Sequence, residues 1–343
     1  MGTLQSVGMN IVLSICIPFK NDYELIDSVV KNIIDTAESD DYEIIVYNDG
    51  SVHSSGKPRT LELDYKNTRV INASQSFGVG AAFDRCVEQA KGDYLILQGS
   101  DVYAHKGWHA KVLDAVKSNP TTIGCAVCVG DKPKANGSFT KYYGADLLIK
   151  MSNDDLPIHS KLRERKGGYT DLFRGKWAEK RGNEPYEISC LMAAYYWLPK
   201  SWYQHIGGWD TERGNRYCGH RTWGHLEAHI SMKSYLCGGN CVLYPDIEVT
   251  HLFNRMDNRN GVSKGGRGAD AMHWNAQWIL ETMVLSEARR NMLQDFMVPE
   301  LNLGVARKWI KQNMATVERY REINRGRFKH GLEIFETKFG IKI

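Results

Sequence analysis

The sequence predicts an α/β fold in which a mostly parallel central sheet is flanked by helices and followed by a helical C-terminal extension. Three observations support this fold class. Short apolar runs alternate with amphipathic helical patterns, polar turn residues follow successive apolar runs, and the pattern is helical from residue 271 to the end. Such alternation is typical of parallel sheets, because the crossover between two parallel strands is usually a helix.

The first predicted elements are a strand, a helix and a second strand. Residues 11–17 form an apolar run that Pro18 ends. Apolar residues then recur at helical spacing within residues 25–34, which predicts a helix with one buried face. Residues 43–47 are the second strand, and the turn sequence Asn-Asp-Gly-Ser at 48–51 follows it.

The same alternation continues along the chain. Residues 69–72 are predicted as the third strand, 79–90 as a helix and 93–97 as a fourth strand. In open α/β sheets, ligands bind beyond the carboxyl ends of the strands. The polar residues at two such ends are therefore candidates for the functional site: Asn48 and Asp49, and Ser100 and Asp101.

The chain divides into a leader, one large domain and an extension. We expect residues 1–10 to be the leader and 11–270 to form the α/β domain. Within it, 131–187 is a polar insertion with scattered aromatic residues, and 252–270 is a glycine-rich, basic, mobile loop. Long stretches of weak periodicity usually carry function or are disordered. Residues 271–343 are expected to be the basic helical extension.

Charge and composition limit the class of protein. Residues 301–343 have a net charge of +6 and the whole chain has +4, so the first 300 residues carry about −2. A basic extension suggests an anionic partner, although a solvated helix face explains it equally well. No apolar stretch reaches the ~18 residues of a membrane span, and no signal peptide is visible. We therefore expect a cytoplasmic protein without a transmembrane segment.

Several stretches resemble one enzyme class. "LSICIPFKND", "YEIIVYNDGS" and "GDYLILQGSDVYAHKGW" resemble the nucleotide-binding half of family 2 glycosyltransferases of the GT-A fold, which is Rossmann-like. "IGGWDTE" and "WGHLEAHISMKSYLCGGNCVLYPDIEVTHLFNR" are similar to the second half of polypeptide N-acetylgalactosaminyltransferases. The resemblance covers about residues 11–256, apart from the insertion. It implies a glycosyltransferase that moves a sugar from a nucleotide-diphosphate donor, with a UDP-sugar favoured, to an acceptor hydroxyl.

The resemblance implies a site for Mn²⁺ or Mg²⁺, which neutralises the leaving diphosphate as a Lewis acid. It aligns Asp101 with the last residue of the family's Asp-x-Asp or Asp-x-His motif, and His251 with the histidine that closes the same site. The usual first acid is missing, with Gly99 or Gln98 in its place, so His251 would complete the site. Two alternatives stay open: Asp101 as a turn residue and His251 as a structural residue.

The resemblance also implies donor contacts. Asn48 and Asp49 match the acidic pair that reads the nucleotide base and ribose. The amide of Asn48 both accepts and donates hydrogen bonds, which weakens the preference for uracil. Pro18 and Lys20 resemble the entry to the nucleotide pocket, and Lys20 is equally well explained as a surface lysine. Ser100, beside the implied metal ligand Asp101, is also expected at the donor.

Glu227 matches the second acid of the family's Glu-Asp pair, with Leu226 replacing the first. In inverting members this acid deprotonates the attacking hydroxyl. A carboxylate in the first turn of a helix is also a favourable partner of the helix dipole. His225 and His229 could assist or substitute. Because the relatives of the second half are retaining enzymes, both stereochemical outcomes stay open.

Three further residues complete the implied site. Trp209 and Asp210 resemble the wall on the acceptor side, where a sugar or base stacks on an aromatic ring and bonds to a carboxylate. Arg255, in the loop after His251, is expected to close over the diphosphate as part of a lid.

The acceptor is not determined by the sequence. An enzyme that builds a surface glycan fits, and so does one that glycosylates hydroxymethylated bases, such as 5-hydroxymethylcytosine, in phage-type DNA. In the second case the basic insertion and extension would contact nucleic acid. A third interpretation is a degenerate domain that binds a nucleotide or nucleic acid without catalysis, since the first metal acid is missing.

Overall fold

The computed structural model describes most of the chain. The described residues are 11–152, 154, 171–192, 194–215, 217–221, 224–252, 267–296 and 303–342. The predicted leader at 1–10, residues 155–170 of the insertion and residues 253–266 of the predicted mobile loop lie outside them.

Strands and helices alternate in the first half of the chain, and helices follow the last strand. The strands are β1 (Leu13–Phe19), β2 (Tyr42–Asn48), β3 (Thr68–Asn72), β4 (Tyr94–Gln98), β5 (Val102–Ala104), β6 (Thr122–Pro133), β7 (Phe139–Tyr142), β8 (Ala145–Met151), β9 (Asp171–Trp177), β10 (Tyr186–Glu187), β11 (Tyr195–Pro199) and β12 (Asn240–His251). The helices are α1 (Tyr23–Thr36), α2 (Val79–Gln89), α3 (Trp108–Ser118), α4 (Lys200–Ile206), α5 (Leu226–Leu236), α6 (Arg267–Met283), α7 (Glu287–Gln294), α8 (Leu303–Gln312), α9 (Met314–Arg327) and α10 (Glu333–Phe339).

One large sheet organises the fold. Its strand order is β10-β12-β6-β11-β4-β1-β2-β3, with β5 paired to β12 and β7 paired to β6. The pairs β1–β2, β1–β4, β2–β3 and β6–β12 are parallel, whereas β11 runs antiparallel between β4 and β6. The predicted α/β fold with a mostly parallel central sheet is confirmed. The alternation of strands and helices in the sequence did not predict the antiparallel strand β11 at the centre of the sheet.

Helices cover both faces of the sheet. The side chains of β2 alternate between the faces, as strand geometry requires. Ile44 and Val46 pack in one apolar cluster with Ile26 of α1, and Ile45 packs in another with Ala82 of α2. Burial on both faces explains why the strand reads as a continuous apolar run.

The predicted end of the first strand is wrong. Pro18 was expected to stop it, but β1 continues through Pro18 to Phe19 and pairs with β2 along its whole length. On its other side, β1 pairs with β4 only from Leu13 to Cys16. Proline is tolerated in strands where a ladder on one side has ended, because its missing N–H is not required there.

The C-terminal helices pack against the α/β part through aromatic residues. Trp274 and Trp278 of α6 are fully buried and stack with ring centroids 5.7 Å apart. They share an apolar cluster with Cys218 of the α/β part and with Ile310 and Tyr320 of the last helices. No helix within the described ranges has both the length and the apolar character needed to cross a membrane.

Candidate active site

Asp101 and His251 meet at the carboxyl edge of the sheet. β5 pairs antiparallel with the end of β12, which places His251 opposite Val102. The backbone N–H of Leu252 donates to the carbonyl oxygen of Asp101 at 3.0 Å. As a result, Nε2 of His251 lies 3.4 Å from Oδ1 of Asp101. Strand pairing therefore joins two residues that are distant in the sequence.

The chemistry of this pair fits a divalent cation. Ligands about 2.1 Å from one ion lie roughly 3 Å apart when they are neighbours, so both atoms can share an ion after a small adjustment. A carboxylate oxygen and an imidazole nitrogen are both ligands of Mn²⁺, and Mg²⁺ favours the oxygen. Within the described ranges no group of three or more His, Cys, Asp or Glu side chains is assembled for a metal. Phosphate and water oxygens can complete the shell of such an ion.

A side chain larger than that of glycine would be crowded at position 99, where the usual first acid is missing. A Cβ atom at Gly99 would lie 3.0 Å from Oδ1 of Asp101 and 3.2 Å from Cβ of Ala194. Both distances are shorter than ordinary van der Waals contacts, so any larger side chain at this position requires its neighbours to shift. Gly99 thus permits the close approach of Ala194 to the turn that carries Asp101.

Glu227 lies in the first turn of α5 and is held by Tyr196, whose hydroxyl donates to Oε1 at 3.1 Å. Burial raises the pKa of the Glu227 carboxyl above its ordinary value. Its backbone N–H, the Tyr196 hydroxyl and the charges of His251 and His225 act in the opposite direction and only partly offset burial. A half-buried acid with a raised pKa that interacts electrostatically with His251 is a candidate for acid–base chemistry.

The two histidines near Glu227 contact other groups. Nε2 of His225 lies 2.9 Å from the carbonyl oxygen of Leu172, and Nε2 of His229 lies 3.3 Å from Oδ2 of Asp210. Their assistance to Glu227 stays a prediction.

Asn48 uses its amide inside the protein. Nδ2 donates to the carbonyl oxygen of Arg59 and to Oδ1 of Asn72, both at 2.8 Å, and Oδ1 accepts from the N–H of Ser51 at 3.0 Å. The side chain is almost fully buried. Base reading by Asn48 stays a prediction, and this geometry favours a role in holding the loops at the ends of β2 and β3.

Asp49 is engaged in the same way. Its carboxylate accepts from the hydroxyl of Ser76 at 2.6 Å and from the N–H groups of Phe77 and Gly78 at 2.9 and 3.0 Å. These bonds fix the chain that leads into α2. Ribose binding by Asp49 also stays a prediction, and three acceptor positions of the carboxylate are already used within the protein.

The remaining expected donor residues lie at the same edge or outside the described ranges. Pro18 is buried in β1, and Lys20 is exposed just beyond it. Ser100 donates from Oγ to Oδ2 of Asp22 at 3.3 Å. Arg255 lies outside the described residues, so its role as part of a lid stays a prediction.

The expectation that Trp209 forms an acceptor wall is wrong. Its ring is fully buried and stacks on Phe83, with centroids 5.0 Å apart. Nε1 donates to the carbonyl oxygen of Leu226 at 3.0 Å, which supports the start of α5. A ring with no exposed surface cannot stack on an acceptor, so Trp209 is a core residue.

Asp210 lies in a buried ion pair. Nζ of Lys233 lies 2.5 Å from Oδ1, while Oδ2 faces Nε2 of His229 at 3.3 Å and accepts from Nε1 of Trp278 at 3.4 Å. Burial by itself would raise the pKa of Asp210, but the charge of Lys233 and the contact with His229 outweigh burial and lower it to about 2. A direct acceptor contact of Asp210 stays a prediction that this arrangement does not favour.

Sequence reasoning missed three residues that organise the site: Tyr196, Lys233 and Asp84. Lys233 gave a weak signal, because it is the one charged residue within the otherwise uncharged stretch Ile-Ser-Met-Lys-Ser-Tyr-Leu. Asp84 accepts from the hydroxyl of Tyr203 and from the N–H of Trp209, and burial raises its pKa. Tyr196 gave no signal, since tyrosine is common in buried strands.

Comparison with known families places these features in context. Residues 14–182 match the family model described as glycosyl transferase family 2. The chain is 22% identical over 199 residues to polypeptide N-acetylgalactosaminyltransferase 11 of Xenopus tropicalis, which covers 55% of this chain and 28% of the relative. It is 22% identical over 193 residues to polypeptide N-acetylgalactosaminyltransferase 5 of Caenorhabditis elegans, covering 54% and 27%. The chain thus matches less than a third of the length of these curated relatives.

A solved structure shows the same fold. The crystal structure of GalNAc-T7 with UDP, GalNAc and Mn²⁺ superposes with a TM-score of 0.61 and 15% identity, covering 96% of this chain and 56% of that one. The GT-A fold and the predicted resemblance are therefore confirmed. The family match and the curated relatives support the predicted glycosyltransferase.

Proposed function

We propose that this protein is a metal-dependent glycosyltransferase that moves a sugar from a nucleotide-diphosphate donor to an acceptor hydroxyl. The observation that carries the proposal is the 3.4 Å approach of His251 to Asp101 at the carboxyl edge of the sheet. The carboxyl of the half-buried Glu227 lies close enough to His251 to interact with it electrostatically. A cation site beside an acid with a raised pKa suits the displacement of a diphosphate by a hydroxyl.

The proposal includes a divalent metal and a nucleotide-sugar donor. Asp101 and His251 would hold Mn²⁺ or Mg²⁺, which as a Lewis acid neutralises charge on the leaving diphosphate. A UDP-sugar is the favoured donor, because the GalNAc-T7 structure that shares this fold is described with UDP, GalNAc and Mn²⁺.

Glu227 acts as the general base of the reaction. Its carboxylate takes the proton from the acceptor hydroxyl while that oxygen forms a bond to the anomeric carbon of the donor sugar. The bond from the same carbon to the diphosphate oxygen breaks, and the nucleoside diphosphate leaves with the electron pair. This direct displacement inverts the anomeric configuration, so a product with retained configuration would contradict the role of Glu227 as the base.

The favoured acceptor is a glycan hydroxyl, in keeping with sugar transfer by the relatives. Glycosylation of hydroxymethylated DNA is the second candidate. In its support, a concave surface of about 420 Å³ on α8 is lined by Gly304, Arg307, Lys308, Lys311 and Gln312. Against it, other basic residues of the extension are engaged in ion pairs: Arg319, Arg321, Arg325 and Lys338. The charge available to a nucleic acid is therefore smaller than the sequence indicates.

The proposal is tested by measuring nucleoside diphosphate release from a panel of nucleotide sugars with Mn²⁺. Parallel reactions contain glycan acceptors, duplex DNA with hydroxymethylcytosine, or unmodified DNA. Release stimulated by a glycan supports the favoured acceptor, and release stimulated only by hydroxymethylated DNA supports the second. If the protein binds nucleotides but releases no nucleoside diphosphate from any nucleotide sugar, the proposal is contradicted. The interpretation as a non-catalytic binding domain would then be favoured.

A further inference from the structure

The hydroxyl of Tyr196 connects Glu227 to the backbone of a neighbouring turn. Tyr196 lies on β11 and its side chain is about 1% exposed. The hydroxyl accepts a hydrogen bond from the N–H of Ala194 at 2.9 Å and donates one to Oε1 of Glu227 at 3.1 Å. Burial raises the pKa of this phenol well above its usual range. The hydroxyl therefore keeps its proton and is a permanent donor to the carboxylate.

The same turn is hydrogen-bonded to the turn that carries Asp101. The carbonyl oxygen of Ala194 accepts from the N–H of Gly99 at 2.8 Å, and Gly99 lies two residues before Asp101. Ala194 has a left-handed backbone, with φ of 51°, which is unfavourable for a residue with a Cβ and persists only where surrounding contacts enforce it. An unbroken series of hydrogen bonds thus runs from the turn of Asp101 through Ala194 and Tyr196 to Glu227.

Packing alone does not require this hydroxyl. The ring of Tyr196 belongs to the apolar core beside Leu198 and Cys125, where phenylalanine would fill nearly the same space. A buried hydroxyl must find partners, and a bond to an ionisable carboxyl is stronger and more directional than one to a neutral group. The position of the hydroxyl between Ala194 and Glu227 therefore indicates a role in orienting the carboxylate.

We propose that Tyr196 is the positioning residue for Glu227 and fixes the orientation of this base relative to the turn that carries Asp101. The inference rests on the proposed function, because it assigns a task to a residue that acts through the general base. Tyr196 itself does not touch the reacting atoms. Its loss leaves the donor site intact and allows the carboxylate to leave the orientation needed for proton removal.

The test is a double-mutant cycle with Tyr196→Phe and Glu227→Gln. Tyr196→Phe is expected to lower kcat for transfer about 10-fold, the order expected when one hydrogen bond to a charged group is lost. The KM for the nucleotide sugar should stay within about twofold, since the donor contacts are unchanged. In the Glu227→Gln background, Tyr196→Phe should have no further effect, because the base through which it acts is gone.

Tyr235→Phe is the matched control. Its hydroxyl is also buried and donates to the carbonyl oxygen of Ile188 at 2.8 Å. This variant should keep kcat within about twofold of wild type if loss of a buried hydroxyl by itself does not matter. Circular dichroism at the assay temperature confirms that each variant is folded.

Three results would overturn the inference: an unchanged kcat in Tyr196→Phe, losses that multiply in the double variant, or unfolding of Tyr196→Phe while Tyr235→Phe stays folded. The last would make the hydroxyl a structural group. Failure of the proposed function is seen separately, as a wild-type protein that releases no nucleotide from any sugar with Mn²⁺.

Discussion

Lys233 and Asp210 form a fully buried ion pair, with Nζ 2.5 Å from Oδ1. The same ammonium donates to the carbonyl oxygens of Gly207 and Gly208 at 3.2 and 2.9 Å. Gly207, Gly208 and Asp210 all have positive φ values. The pair therefore fastens an unusual loop to α5, the helix that carries Glu227.

Asp210→Asn should destabilise the protein by about 3–5 kcal/mol, because it leaves the Lys233 ammonium buried without a counter-charge. Urea unfolding measures this loss. Asp40→Asn is the control, since it breaks only an exposed ion pair with Lys66 and should leave the unfolding midpoint unchanged. An Asp210→Asn protein as stable as the control would show that the buried pair contributes nothing.

The difference in free energy of unfolding between wild type and Asp210→Asn, called the stability gap below, should depend on pH. Asp210 has a pKa of about 2 in the folded protein, below the value of about 3.9 for an unfolded chain. The ionised carboxylate therefore contributes stability that is fully present above pH ~3.9 and is lost as the pH falls through 2. Unfolding of both proteins between pH 5 and pH 2 should show the gap narrowing; a constant gap would mean that ionisation of Asp210 is not its source.

Glu227→Gln should lower kcat for transfer by about 10²–10⁴-fold, the usual contribution of a general base. Donor binding should be unchanged, which calorimetry with UDP and Mn²⁺ checks. Because burial raises the pKa of Glu227, the wild-type rate should increase with pH through a value above the ~4.3 of an exposed glutamate. The residual activity of Glu227→Gln should lack this increase in rate with pH. If the increase persists in the variant, another group is responsible for it.

His251→Ala should raise the Mn²⁺ concentration needed for half-maximal activity by at least about 10-fold, because one of the two proposed protein ligands is lost. His105→Ala provides the control. His105 is an exposed histidine next to β5 that contacts Oγ1 of Thr250 on the same strand pair. Equal Mn²⁺ dependence of the two variants would remove His251 from the metal site.

Gly124→Ala should destabilise the sheet by about 1–3 kcal/mol or more through overpacking. A Cβ atom there would lie 2.1 Å from the ring of Trp197, which is buried directly opposite on β11. Gly130→Ala on the same strand is the control, since its Cβ would meet only ordinary contacts at 3.6 Å or more. Thermal melting compares the two, and equal melting temperatures would show that Trp197 can move aside.

The sheet and its surrounding helices were predictable because their signal is local. Each of the strands β1, β2 and β4 is an apolar run buried on both faces, and α1 has one apolar side. The antiparallel entry of β11 depends on pairing with β4 and β6, which lie far away in the sequence. Such long-range pairing leaves no periodic signal in a single sequence.

Part of the candidate site was also predictable, because its motifs are local stretches of the sequence. The order of motifs indicated Asp101, Glu227 and His251, and the structure brings Asp101 and His251 together. The sequence did not indicate that Trp209 is fully buried. An aromatic residue within a motif gives the same sequence pattern whether it lies in the core or at the surface. Tyr196 escaped notice because its partner Glu227 lies on a different element.

The most direct test of the central claim compares wild type with Asp101→Ala in Mn²⁺-dependent release of UDP from UDP-sugars. Wild type should release UDP with Mn²⁺ and stop when a chelator is added. Asp101→Ala should be slower by on the order of 100-fold or more at the same Mn²⁺ concentration, since Lewis-acid stabilisation amounts to several kcal/mol. Equal rates in the two folded proteins, or release that a chelator does not affect, would contradict the assignment of Asp101 and His251 as the metal site.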